Sequence, residues 1–155
     1  MGERTVDLIP EEWEGTWLSP EGDVVFVTDV DPKEASILTS WVEEEDEKLV
    51  LKKSVIYFGE AAGWTFVSMP DQSESPVRHF WGRIERQQDE TAVVWLPDHK
   101  KFEKLVVEGL LPGIVEAGDV HLSQLDSSHY LMIASEQNGI LLNWDEPVVY
   151  RRIKH

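Results

Sequence analysis

Trp13-Glu14-Gly15-Thr16-Trp17, near the start of the chain, and Val148-Val149-Tyr150-Arg151-Arg152-Ile153, near its end, decide the fold between them. The second run is β-branched and aromatic and reads as a strand. In the first, glycine permits a close approach at the start of a strand. The pleat sends the Trp17 ring to the same face as Gly15, two residues before it. If the first and last strands are neighbours, an arginine of the last can lie flat on that indole in a cation–π contact. Arg152 shares a face with Tyr150 and Val148 and is the expected partner, with Arg151 taking the role if the parity is reversed. Such neighbours close a sheet into a barrel, and Gly15, Trp17 and Arg152 are then structural closure residues.

The chain between them divides into short extended runs. Glu14 to Leu18 is expected to stop at the turn sequence Ser19-Pro20-Glu21-Gly22. Asp23 to Asp29 is β-branched and bounded by Asp31-Pro32. Glu34 to Val42 and Lys48 to Phe58 are expected as a hairpin across an acidic loop, Glu43 to Glu47. Trp64 to Met69 follows a glycine–alanine turn and stops at Pro70-Asp71, after which Gln72 to Pro76 reads as loop. Val77 to Arg86 and Thr91 to Leu96 make a second hairpin. From Asp98 the period becomes helical: Phe102, Leu105 and Val106 fall on one face, and Gly109 lies where a helix C-terminus needs a left-handed residue. Gly113 and Gly118 mark loop, and Val120-His121-Leu122 is a short extended piece. Ser123 and Asp126 open a second helix, expected to end at Asn138-Gly139.

Eight strands joined mostly by short loops favour antiparallel up-and-down pairing. The expectation is a mainly β chain, an eight-stranded antiparallel barrel with one or two helices inserted before the last strand. With no repeat or long linker, residues 1–155 read as a single domain.

Gly15-x-Trp17, the strand count, the late helices and the closing Tyr150-Arg151-Arg152-Ile153 together resemble the lipocalin-like (calycin) β-barrels. More narrowly, the chain resembles the small bacterial lipocalin-like proteins without a defined role. The resemblance implies Trp17 packed under Arg152 at a closed end, and an interior able to hold a small hydrophobic ligand. The chain departs from secreted lipocalins in lacking a disulfide and a signal-like start, and in placing its helices before the eighth strand.

Composition narrows the partners. Thirty acidic against 14 basic side chains give a net charge of −16, which repels nucleic acid and anionic membrane. Absence of cysteine excludes disulfides, thiolate metal sites and cysteine nucleophiles. No apolar run approaches membrane-spanning length and Met1 to Asp7 has no apolar core, so a cytoplasmic protein without membrane insertion is expected. Seven tryptophans, against three tyrosines and five phenylalanines, suit strands and pocket walls.

Phe26, Trp41, Tyr57, Phe66, Trp81 and Trp95 fall on separate strands and would line one cavity wherever they face inward, or else fill a core. Arg78, His79 and Arg83 on one strand and Lys52 and Lys53 on another are candidate cations for a carboxylate-bearing ligand; solvated or surface-paired cations are the commoner case. The candidate ligand-binding set is therefore Phe26, Trp41, Tyr57, Phe66, Arg78, Trp81 and Trp95. His79, His99, His121, His129 and His155 show no metal-ligand spacing, although His121 and His129 could meet in space. No nucleophile elbow, phosphate loop or calcium loop is present, so no catalytic residue, metal or cofactor is assigned. The leading expectation is non-enzymatic binding of a small apolar or amphipathic, fatty-acid-like molecule. The alternative is a solid barrel acting as an interaction or structural module. An enzyme would need an inward histidine or carboxylate with a shifted pKa.

Overall fold

Alternating side chains on paired strands sort one face to each side of a closed wall. The computed structural model describes residues 1–71, 78–88, 90–135 and 141–153. Its elements are β1 (Arg4–Thr5), α1 (Pro10–Trp13), β2 (Gly15–Leu18), β3 (Val24–Asp31), β4 (Ser36–Glu45), β5 (Lys48–Ala61), β6 (Trp64–Asp71) and β7 (Arg78–Gln87). There follow β8 (Thr91–Trp95), α2 (His99–Val107), β9 (Gly113–Glu116), β10 (Asp119–Leu122), α3 (Ser127–Ser135) and β11 (Val148–Ile153). β2, β3, β4, β5, β6, β7, β8 and β11 pair in that order, all antiparallel, and β11 returns to β2. The result is a closed eight-stranded barrel.

The pairing fixes which face is inside. Trp17 lies opposite Arg152 and Val25, Ile37 opposite Ile56 and Val30, and Phe58 opposite Val67. These inward groups meet Leu8 and Trp13, which plug the end of the barrel where β2 begins, in one core. A second core lies outside the wall. Phe66, Val93 and Trp95 face away from the barrel and are buried with Phe102 of α2 and with Tyr130 and Ile133 of α3. Helix and barrel are thus two layers around a shared sheet.

Several boundaries move for identifiable reasons. Glu43 to Glu45 belong to β4, and only Asp46 and Glu47 form the turn, both at positive φ (48° and 61°). That is the two-residue hairpin geometry whose twist matches the strands. Pro70 lies within β6 opposite His79; β6 has passed its last pair with β5, Tyr57↔Ser68, so no ladder bond is lost on the open side. The lead-in contains α1, begun by Pro10 and acidic in its first turn, both favourable at a helix start. Gly113 begins a strand rather than a loop, and Gly118 sits in the turn between β9 and β10. The second helix starts at Ser127, with Asp126 Oδ1 accepting from the Ser128 and His129 amides. Gln72 to Val77, the expected helix end at Asn138-Gly139, and His155 lie outside the described residues.

Candidate functional site

The closed end is built from opposed charges around α1. Trp17 Nε1 donates to the Trp13 carbonyl at 2.8 Å, and the Trp13 ring meets Phe58 edge-on at 5.0 Å. A helix leaves its last carbonyls without partners, and two arginines supply them. Arg152 Nη1 donates to Glu11 O at 2.7 Å and Arg86 Nε to Glu12 O at 3.2 Å. Glu90 Oε2 accepts from both guanidiniums. The expected stacking of Arg152 on Trp17 is corrected here. The guanidinium crosses Gly15, where an added Cβ would lie 3.2 Å from Nε, and its donors go to carbonyl and carboxylate. The cation–π contacts among the described residues belong to Arg83. A groove of about 400 Å³ runs along this end past Glu12, Trp64, Arg83 and Arg86, but both arginines are already engaged by the protein.

At the opposite end the wall opens. β5 and β6 separate beyond Tyr57↔Ser68, while β4–β5 continues to the turn at 46–47 and β6–β7 to Asp71↔Arg78. Between the two diverging ribbons lies a recess of about 320 Å³, lined by Trp41, Lys52, Ser54, Met69, Asp71 and Phe80 among others. Trp41 and Lys52 are cross-strand partners, as are Met69 and Phe80, so both pairs present side chains to one face. Phe80 is 60% exposed there. Lys52 is paired with Glu45, and that hydrogen bond holds the ammonium above its ordinary pKa. Trp41 Nε1 donates to Glu43 Oε1 at 2.7 Å. Ser54 Oγ is buried with no hydrogen-bond partner, an uncompensated cost for a polar group.

Of the candidate ligand-binding residues, Trp41 lines this recess. Phe66, Trp81 and Trp95 face the outer layer: Phe66 is fully buried, with Trp81 and Tyr130 at ring separations of 6.0 and 5.7 Å. Phe26 and Tyr57 are exposed on the outside of the wall. Arg78 shares the parity of Phe80 but sits at the rim, donating to His121 Nε2 at 2.8 Å and to Glu116 at 3.1 Å. His121 therefore meets Arg78, while His129 Nδ1 accepts from the Asp126 amide. The single cavity expected from the six aromatics is corrected: Phe66, Trp81 and Trp95 pack the exterior layer, Phe26 and Tyr57 are exposed on the outside of the wall, and only Trp41 lines the recess.

Arg83 provides the cation among aromatics, outside the barrel. Its guanidinium lies 3.9, 4.7 and 4.9 Å from the rings of Trp64, Trp95 and Trp144, and its side chain is 13% exposed. Burial lowers its pKa, with Glu85 opposing. Trp144 stacks on Trp95 at 4.9 Å, so the arginine clasps the connection that precedes β11.

No family model, curated protein or solved structure matches the chain. Among the described residues no group of three or more histidines and carboxylates could hold a metal. No described helix is long and apolar enough to cross a membrane.

Proposed function

We propose that the protein binds a small amphipathic, fatty-acid-like molecule in the recess at the open end of the barrel. The observation that carries this reading is the placement of Trp41, Met69 and Phe80 on the inner face, around a solvent-open hollow whose base holds the unpartnered Ser54 hydroxyl. An apolar ligand body would desolvate those three side chains. Burying roughly 200 Å² of ligand surface contributes about 5 kcal/mol at 25 cal/mol per Å², partly offset by lost translational and rotational freedom. That alone gives about millimolar affinity, so micromolar binding requires the head group to contribute as well. Lys52 supplies a cation for a carboxylate that displaces Glu45, and a ligand acceptor reaching the base satisfies Ser54. The resemblance to lipocalin-like barrels, whose interiors take such molecules, agrees with this assignment.

Titration with palmitate, retinol and haem, followed by tryptophan fluorescence, tests it. Fatty acid is expected to change the emission of the wild type and to leave that of Trp41→Phe unchanged. Lys52→Met should weaken palmitate and spare its methyl ester. No response to any of the three, or a response that survives in Trp41→Phe, rejects the recess as the site.

A further inference from the structure

The outside of the barrel is covered on one side only. Around β6, β7, β8 and β11 the apolar wall is buried by the amphipathic helix α2 and the more uniformly apolar α3. Around β3, β4 and β5 the outer face carries a strip of exposed apolar side chains interspersed with Ser36, Ser40, Lys53 and Glu44. Register places Tyr57 opposite Ser36, Val55 opposite Leu38, Lys53 opposite Ser40, Leu51 opposite Val42, and Leu49 opposite Glu44. All ten share the face away from the barrel interior, because the alternate residues Ile37, Thr39, Trp41, Lys52, Ser54 and Ile56 face inward. Phe26 lies beside Ser40 on the neighbouring strand. Phe26, Tyr57, Val42, Leu51 and Leu49 are 39, 41, 52, 57 and 78% exposed. From Tyr57 to Leu49 the strip extends roughly 27 Å along the strand, the length of a helix of about 18 residues.

The charges at its border state what it would accept. Between Asp29 and Glu47 the chain carries eight carboxylates and a single lysine, and five of those carboxylates, Glu43 to Glu47, stand at the projecting tip. Lys48, Lys52 and Lys53 offset them in part, and Lys52 is taken by Glu45. A second copy would bring another −16 to the contact, and an anionic membrane is repelled for the same reason. Lysines on β5 also discourage strand-to-strand addition at its free edge.

We propose that this strip docks an amphipathic helix of another protein, with apolar residues on Phe26, Val42, Leu49, Leu51, Val55 and Tyr57 and basic residues against the carboxylates of the tip. It is the mode in which α2 already covers the other side of the same wall, supplied from outside the chain. Apart from Lys53, which borders both, the part of the recess lining on β4 and β5 lies on their opposite face, so the contact is separate from the recess.

Fluorescence anisotropy with a labelled helical peptide of leucine on one face and lysine on its flanks tests the proposal. A peptide with the same leucines and glutamate flanks is the comparison. The lysine peptide should bind and the glutamate peptide should not. The double variant Val42→Thr/Leu51→Thr retains strand-favouring side chains and the full charge, and should weaken the lysine peptide tenfold or more. Leu49→Thr alone, at a still more exposed position, should weaken it severalfold and serves if the double variant is not folded by circular dichroism. Equal binding by wild type and variants would mean general attraction to an acidic surface and would overturn the proposal. So would self-association in sedimentation that the double variant abolishes, or variant-sensitive binding to phosphatidylcholine vesicles without discrimination between the peptides. Palmitate titration of the double variant should match the wild type, so failure here leaves the recess assignment untouched.

Discussion

Truncating Phe66 separates the two sides of the barrel wall in one experiment. The ring has no exposed surface and sits among Trp64, Trp81 and Tyr130, with centroids at 6.3, 6.0 and 5.7 Å. Removing a buried phenylalanine costs about 3–5 kcal/mol in transfer free energy and residual cavity. The upper part of that range is expected here, because the neighbouring rings are held by strand and helix backbones and cannot collapse into the space. For a domain of this size each kcal/mol moves Tm by about 2–4 °C, so Phe66→Ala should melt roughly 6–20 °C below the wild type. Calorimetry gives the midpoint, and palmitate titration well below the variant's Tm gives the ligand response. Stability should fall while the titration is unchanged, since the recess lies across the wall. A shift under about 3 °C, or altered palmitate binding by a folded variant, would show that Phe66 lines a ligand cavity and that the exterior core is misassigned.

Two further outcomes follow from local geometry. Glu47 sits at φ 61° in the β4–β5 turn, a conformation costing an L-residue about 1–2 kcal/mol, so Glu47→Gly should stabilise by about 0.5–1 kcal/mol after glycine's greater unfolded-state entropy is deducted; a calorimetric midpoint that stays level or falls would remove the claim of strain. Burial, aided by Asp23 and Glu21, holds the Tyr150 hydroxyl above its ordinary 10.0. The unfolded chain therefore releases this proton first, and the associated stability, whole below about pH 10, is lost as pH rises toward the folded-state value. Urea midpoints across that range should fall more steeply for wild type than for Tyr150→Phe, and parallel curves would show that the phenol is not protected.

Closure was legible because it depends on parity alone. Gly15, Trp17 and Arg152 lie on faces that the two-residue period fixes once first and last strands are neighbours, and the structure sets Arg152 directly opposite Trp17. What the period does not contain is the competition for the guanidinium. The C-terminal carbonyls of α1 are stronger partners for an arginine than an indole face, and α1 was hidden in a polar lead-in of four helical residues. The glycine matters for that same arginine: it vacates the space through which Arg152 reaches Glu11 and Glu90.

The recess was illegible for a different reason, and it turns on one hairpin. Reading the whole run Glu43 to Glu47 as loop leaves the partner of Trp41 undefined. With the turn reduced to Asp46 and Glu47, each residue of β4 has a single partner on β5, and Trp41 meets Lys52 while Thr39 meets Ser54. The cue for so tight a turn is usually Asn-Gly or Asp-Gly, and here a glutamate occupies the glycine position, so the strongest hairpin signal is missing where it would have counted most. Inside and outside were ambiguous on β6 and β8 because Phe66, Val93 and Trp95 are covered by the helix layer while Val67 and Ala92 are covered by the barrel. A strand buried on both faces has no solvent side to orient it. Hydrophobic alternation can orient a wall only where one face meets water. In this fold the helices that remove the water come well after β6 in the chain: β6 ends at Asp71, α2 begins at His99 and α3 at Ser127, and Phe66 packs against Tyr130. The covering is therefore a tertiary fact, and the assignment of faces had to wait for it.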